Sequence, residues 1–297
     1  MLRGILAGLA AGALWGLVFV APRLAPGFSP VDLTAGRFVA YGIVAAAMML
    51  TASRLRQLPT LRQAAAAAGM SLLGFTAYYL LLVLAIRDAG TEVPALIIGT
   101  IPLWVMLLGK PGRLRWNALV PGVALTAAGL ALMMASVPDD GSEGAPSHFV
   151  RGLVFASASL ACWTAFALLN SAWLKRNPEV QATDWANWLG VATGLGALAM
   201  WLVAGSAAAQ LAAQPGLGAF VLVCLGTGFG SAWLATILWN VASRQLPASL
   251  GGQLIVSETL FALLYSFVLD GRWPTLLQSA ACVLFTLGIL ASIKAHR

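Results

Sequence analysis

The chain has 297 residues, of which 60% are hydrophobic and only 9% charged, and it carries a net charge of +7. That charged share is about a third of what a soluble domain carries, which excludes a water-soluble fold and indicates a membrane protein. The basic excess would suggest a nucleic-acid partner in a soluble protein, but here it must first be weighed against membrane topology.

A bilayer core about 30 Å thick is crossed by about 20 residues of helix. Uncharged apolar stretches of that kind predict ten spans, at 4–21, 33–52, 64–86, 93–109, 116–137, 152–174, 185–204, 217–241, 247–269 and 273–293. The fold class is therefore all-α and polytopic. A barrel would show short alternating segments, and only helices satisfy their own backbone groups in lipid. Arg3 ahead of the first apolar run resembles a secretory leader, but the layout of that helix recurs later in the chain, so it is read as a span. With the N-terminus inside, twelve bases fall on the inner side: Arg3, Arg54, Arg56, Arg62, Lys110, Arg113, Arg115, Lys175, Arg176, Arg244, Lys294 and Arg297. Four fall outside, namely Arg23, Arg87, Arg151 and Arg272. This asymmetry places both termini in the cytoplasm and accounts for the basic character without nucleic acid. Cys162, Cys224 and Cys282 all lie within spans and show neither CxxC nor Cys/His spacing, so no disulfide framework, metal site or cofactor is expected.

An internal duplication runs through the chain. Arg3-Gly4 through Trp15 matches Arg151-Gly152 through Trp163 at a separation of 148. Ala85 and Arg87 match Ala242 and Arg244 at a separation of 157, as Arg115-Trp116 matches Arg272-Trp273. The nine extra residues are assigned to the longer connection at 205–216. Each half then holds five spans, an odd number, so the second copy enters the membrane from the opposite side. The expected organisation is a first repeat at 1–137, an external linker at 138–149 and a second repeat at 150–297. Inverted repeats are a recurrent plan of secondary transporters, with the substrate site near the midplane between the halves.

The small-residue first helix ending in "LWGLVFVAPRL", the stretch "YYLLLVLAIRDAG", the fourth helix "IPLWVMLLG" and the ninth, "ASLGGQLIVSETLFALLYSFVLDGRW", carry a resemblance to the drug/metabolite transporter superfamily. Over essentially its whole length the chain resembles the EamA family of ten-helix carriers built from two five-helix repeats, and within it looks most like the YddG-type bacterial exporters of aromatic and other amino acids. The resemblance implies a bacterial cytoplasmic membrane, a small-molecule substrate and a cavity used by alternating access. One departure is that family members often carry an acid near an end of the ninth helix, whereas Glu258 is central.

Glu258 lies eleven residues from each end of its span, about 16 Å of helix rise. An acid at that depth facing lipid costs about 2.5–3.5 kcal/mol on insertion scales, so it should face the bundle interior or a wet cavity. There it would serve as a counter-charge for a substrate ammonium, as a proton carrier, or as a polar tie between helices. Arg37, the one embedded base, offers a carboxylate partner, but its long stem is expected to snorkel to the headgroups beside Asp32. Ser159, Trp163, Phe166, Asn170 and Trp173 recur at steps of four and three, one face of helix six. Trp233, Thr236 and Asn240 do so in helix eight, and Thr100 with Trp104 in helix four. Such aromatic and polar faces suit a cavity, and Tyr78, Tyr79 and Trp15 join the candidate lining, with plain interhelical packing the alternative. Trp116, Trp173, Trp185, Trp188 and Trp273 lie near span ends and are expected in the interfacial belt.

Gly4, Gly8, Gly12 and Gly16 form a strip for close helix packing. Pro94, Pro102 and Pro247, with Gly251 and Gly252, loosen helices four and nine and are candidate hinges or fixed kinks. No HExxH or GxSxG occurs and no two carboxylates share a span, so the chain does not read as an enzyme. A filter motif is lacking, which disfavours a channel, and one embedded base is too few for a phosphorylated substrate. The expected function is export of small amphiphilic solutes, foremost aromatic and other neutral amino acids, by a monomer in the lipid bilayer. A multidrug or metabolite exporter is the alternative, and a membrane scaffold or receptor is the reading from a different class.

Overall fold

The computed structural model describes residues 1–50, 58–89, 92–112, 114–135, 148–271 and 273–296, so most of the expected linker at 138–149 lies outside the described residues. Among them every regular element is helical. In chain order these are α1 (Leu2–Gly16), α2 (Ala21–Leu24), α3 (Pro30–Met49), α4 (Leu61–Ser71), α5 (Ala77–Ala89), α6 (Glu92–Gly99), α7 (Ile101–Leu108), α8 (Trp116–Ala135), α9 (Phe149–Arg176), α10 (Ala182–Ala204), α11 (Ala208–Ala213), α12 (Leu217–Thr227), α13 (Ala235–Gln245), α14 (Ala248–Asp270) and α15 (Leu276–Ala295). Among the described residues seven helices are long and apolar enough to cross a membrane, and three shorter apolar ones, Leu2–Gly16, Ile97–Leu108 and Trp116–Leu132, stand where the first, fourth and fifth spans are expected.

Local chemistry sets the ends and breaks. Ser29 caps α3 by accepting from the Asp32 N–H, with Pro30 in the first turn where its missing N–H leaves no bond unmade. Thr60 with Gln63, and Thr275 with Gln278, form capping boxes at the starts of α4 and α15. Gly271, at φ +61°, ends α14 in the left-handed conformation that favours glycine. Between α6 and α7 the helix breaks at Thr100, two residues before Pro102, which has no N–H to return to the preceding turn. Pro94, in the first turn of α6, removes only a donor that would be free anyway.

The ninth span carries no break at its candidate hinge residues. Pro247 is the cap residue of α14 and the helix continues through Gly251 and Gly252 without interruption. A Cβ on Gly252 would lie 2.9 Å from the Met106 nitrogen, so this glycine clears room for α7 and does not loosen α14.

The two halves carry features in matching register. A π-helical segment at Leu72–Thr76 links α4 to α5, and another at Gly228–Leu234 links α12 to α13, 157 residues later. Gly4 approaches Leu246 just as Gly152 approaches Ala89, again at separations of 148 and 157. Gly42 of α3 and Gly194 of α10 cross back to back, each missing Cβ falling 2.8 Å from the other's Cα. They are 152 apart, as are Asp32 and Asp184 in the first turns of the same helices. Four of the nine extra residues therefore precede α10, and only the other five belong to the connection at 205–216.

Counterpart helices pack on one another, α3 on α10 and α8 on α15, while α1 packs on α13 and α14 as α9 packs on α5, α6 and α7. The bundle has two ends. One, the terminal face, holds Met1 and the end of α15; there the Lys175 ammonium donates to the Leu246 carbonyl at 2.7 Å and Ser249 pairs with His296 at 2.7 Å. At the opposite face, the Ser206 hydroxyl and N–H donate to Asp32 at 2.6 and 2.9 Å, and Arg151 pairs with Asp88 at 2.5 Å.

Candidate central site

Burial changes abruptly along α14. Every residue from Ser249 to Ser257 is buried, and from Glu258 onward no described side chain is. Between Phe75 and Leu84, α5 and the π segment before it are likewise only half-buried throughout. Burial along α14 thus falls toward the opposite face, and Glu258 marks the transition. Gly12 brings α1 against this point, since a Cβ there would lie 3.1 Å from the Glu258 nitrogen.

Arg37 faces the same region. Its guanidinium interacts electrostatically with Tyr78, Tyr79 and Glu258, and its Cζ stands 4.5 Å over the Phe38 ring. The Nε atom is buried without a partner, which overturns the expectation that this side chain snorkels outward. Asp32 is not its mate, because that carboxylate is held by Ser29 and Ser206. Among the described residues Arg37 and Glu258 form no salt bridge with each other. A base and an acid thus border one region without a salt bridge between them.

Three indoles lie beneath them. Trp15 meets Trp163 edge to face at 6.4 Å, and Trp239 lies 5.4 Å from Trp15 and 6.4 Å from Trp163. Trp15 and Trp163 are the two residues paired by the 148-residue register, so the duplication brings its own counterparts into contact. Tyr78 and the buried Ile101 and Ile255 pack into this cluster. Tyr79 sits nearer the opposite face, where its hydroxyl donates to the Pro30 carbonyl at 2.8 Å.

Several other candidates have different roles. Trp104 is 46% exposed and shares an outer stripe of α7 with Leu108, away from the buried Val105 and Met106. Thr100 spends its hydroxyl on the Ile97 carbonyl at 2.6 Å, tying the helix break locally. Asn170 and Asn240 are completely buried and bonded to each other at 3.1 Å. The Asn170 carbonyl oxygen also accepts from the Trp185 indole at 2.7 Å, and the Asn240 amide donates to the Ala182 carbonyl. They form a structural clasp among α9, α10 and α13 toward the terminal face. Trp233 donates to Asn187 at 2.7 Å and stacks on Phe229.

Of the tryptophans expected in the interfacial belt, Trp116 and Trp273 are exposed. Trp185 and Trp188 are buried, and Trp173 stacks on Trp185 at 3.7 Å. Trp239 was passed over, although it stands three residues after Thr236 and so continues the face that singled out Trp233 and Thr236. Gln253, buried and bonded to Thr126 and Ser292, was also missed because no periodic pattern marks a lone amide. No group of His, Cys, Asp or Glu among the described residues is arranged to hold a metal ion.

Known proteins agree with this architecture. The EamA-like transporter family matches residues 2–135. Inner membrane protein YtfF of Escherichia coli (strain K12) is 31% identical over 309 residues, spanning 99% of this chain and 96% of the relative. A solved crystal structure superposes with a TM-score of 0.79 over 99% of this chain and 97% of its own, at 21% identity, a likeness of fold alone. An all-helical bundle of apolar spans with full-length similarity to an inner membrane protein is a membrane transporter of small molecules, and this chain belongs to the EamA-like transporter family.

Proposed function

We propose that this transporter exports zwitterionic solutes, foremost aromatic and other neutral amino acids, by alternating access at the site framed by Arg37, Glu258, Tyr78, Trp15 and Trp163. The observation that carries this reading is that Arg37 and Glu258 border one region without a salt bridge between them, beside the indoles of Trp15 and Trp163. A zwitterion fits there, its ammonium toward Glu258 and its carboxylate toward the donors of the site, while an apolar side chain packs against the aromatic rings. An uncharged drug would leave both groups unpaired in a poorly solvated place, which is costly.

The matching π segments, glycine contacts and tryptophans support two copies of a five-helix unit, at 1–137 and 150–297, inserted in opposite senses. The distribution of basic residues supports cytoplasmic termini, and YtfF supports a bacterial inner membrane. In that orientation the less buried half of α14 faces outward. Ten spans enclose the site within one chain, which favours a monomer.

Proteoliposomes loaded with labelled phenylalanine or tryptophan test the proposal. Flux should appear with wild-type protein and be lost in Glu258→Gln, which keeps the shape and removes the charge. Native flux in that variant would remove Glu258 from the mechanism. Flux of drugs but not amino acids would favour a multidrug carrier, and no flux of any solute a scaffold.

A further inference from the structure

The buried polar atoms that lack a partner among the described residues are informative by type. Four can only donate: Arg37 Nε, Asn187 Nδ2, Trp239 Nε1 and Arg244 Nε. The other two, Thr164 Oγ1 and Ser243 Oγ, are hydroxyls that can donate as well as accept. No carboxylate, amide or carbonyl oxygen of a side chain is among them. A solute that completes the four donor-only groups must bring an acceptor.

Two of these donors, Arg37 Nε and Trp239 Nε1, belong to the central site, and Trp239 is the one within the indole cluster. It is 3% exposed and sits against both Trp15 and Trp163. It shares a cluster with Ile255, which precedes Glu258 by three residues and so lies one turn deeper on the same side of α14. The indoles of Trp185 and Trp233 each donate to an asparagine oxygen at 2.7 Å, so this fold satisfies such groups where it uses them structurally. A buried indole N–H without an acceptor is unfavourable unless a ligand supplies one.

Resting on the proposed transport of amino acids, we infer that Trp239 is a specificity-determining residue whose indole N–H donates to a carboxylate oxygen of the solute at the floor of the site. The indoles of Trp15 and Trp163 hold the ring in place. Discrimination follows from the donor-only chemistry: a solute with an oxygen anion completes the bond, and a simple amine does not.

The test uses the full-length protein and three probes: L-phenylalanine, 3-phenylpropionate, which lacks the ammonium, and phenethylamine, which lacks the carboxylate. Trp239→Phe keeps an aromatic ring and removes the N–H. Losing one hydrogen bond to a charged acceptor should weaken binding of both carboxylates about tenfold, with phenethylamine binding unchanged. In 15N-tryptophan-labelled wild-type protein, the indole resonance that Trp239→Phe deletes should shift with 3-phenylpropionate and stay still with phenethylamine. Equal binding of the carboxylates in both proteins, equal loss for all three probes, or a resonance that 3-phenylpropionate does not move would overturn the assignment. Binding of 3-phenylpropionate that depends on Trp239, without binding of phenylalanine, would keep the assignment and end the amino-acid reading. A wild-type protein that binds neither carboxylate would overturn both.

Discussion

Asn170 shows how little a side chain's sequence position reveals about its use. It shares a helix face with Trp163 and Phe166, which marks it for a cavity, yet its amide is saturated by Asn240 and Trp185. Those partners lie 70 and 15 residues away, beyond anything periodicity can report. Replacing it with alanine strands the buried Trp185 N–H and the Asn240 oxygen. We expect Asn170→Ala to lower unfolding stability by about 2–3 kcal/mol, measured as the denaturant midpoint of the purified protein. An unchanged midpoint would show that the clasp is not structural. Arg37 was misjudged for a related reason: a long flexible base reaches either headgroups or interior, and only its contacts decide. Glu258 was easier to read, because an acid so far from both ends of an apolar run has few tolerable surroundings.

Among the helices, glycine carried two meanings that the sequence could not separate. The strip along α1 was legible because four glycines at one spacing make a packing surface. Gly251 and Gly252 were read as flexibility, whereas Gly252 admits the backbone of α7. The crossing of Gly42 with Gly194 is marked on one side only, since Gly190 and Gly194 stand four residues apart in α10 while Gly36 and Gly42 of α3 have no such spacing. Contrasting substitutions separate clearance from flexibility. Gly42→Ala forces a methyl to 2.8 Å from Gly194 Cα and should cost about 1–3 kcal/mol of stability. Gly69→Ala in α4 meets nothing within 4 Å and should be neutral or stabilising by up to about 1 kcal/mol. If the two variants unfold at the same midpoint, tight crossing of α3 and α10 is not what Gly42 provides.

For the whole molecule, the ten spans and the duplication were legible because both are long-range regularities of composition and register, to which local uncertainty adds little. The inequality of the two ends was not, because it is a property of one conformation. At the terminal face α9 is bound to α13, through Asn170 with Asn240 and through the Ser171 hydroxyl donating to the Ser243 carbonyl at 3.1 Å. The duplication makes α1 and α5 their counterparts, yet those two helices have no comparable packing at the opposite face. The proposed alternating access requires an exchange of these two arrangements, and it predicts that the α9–α13 contact parts in each cycle. Cysteines at 171 and 243, introduced as Ser171→Cys and Ser243→Cys with Cys162, Cys224 and Cys282 replaced by serine, should join readily under oxidation or with a short bifunctional thiol reagent. Oxidised protein should lose flux while keeping its fold, and reductant should restore it. Full flux through the joined protein would mean that this end never opens, and would rule out the exchange of the two arrangements as the transport step.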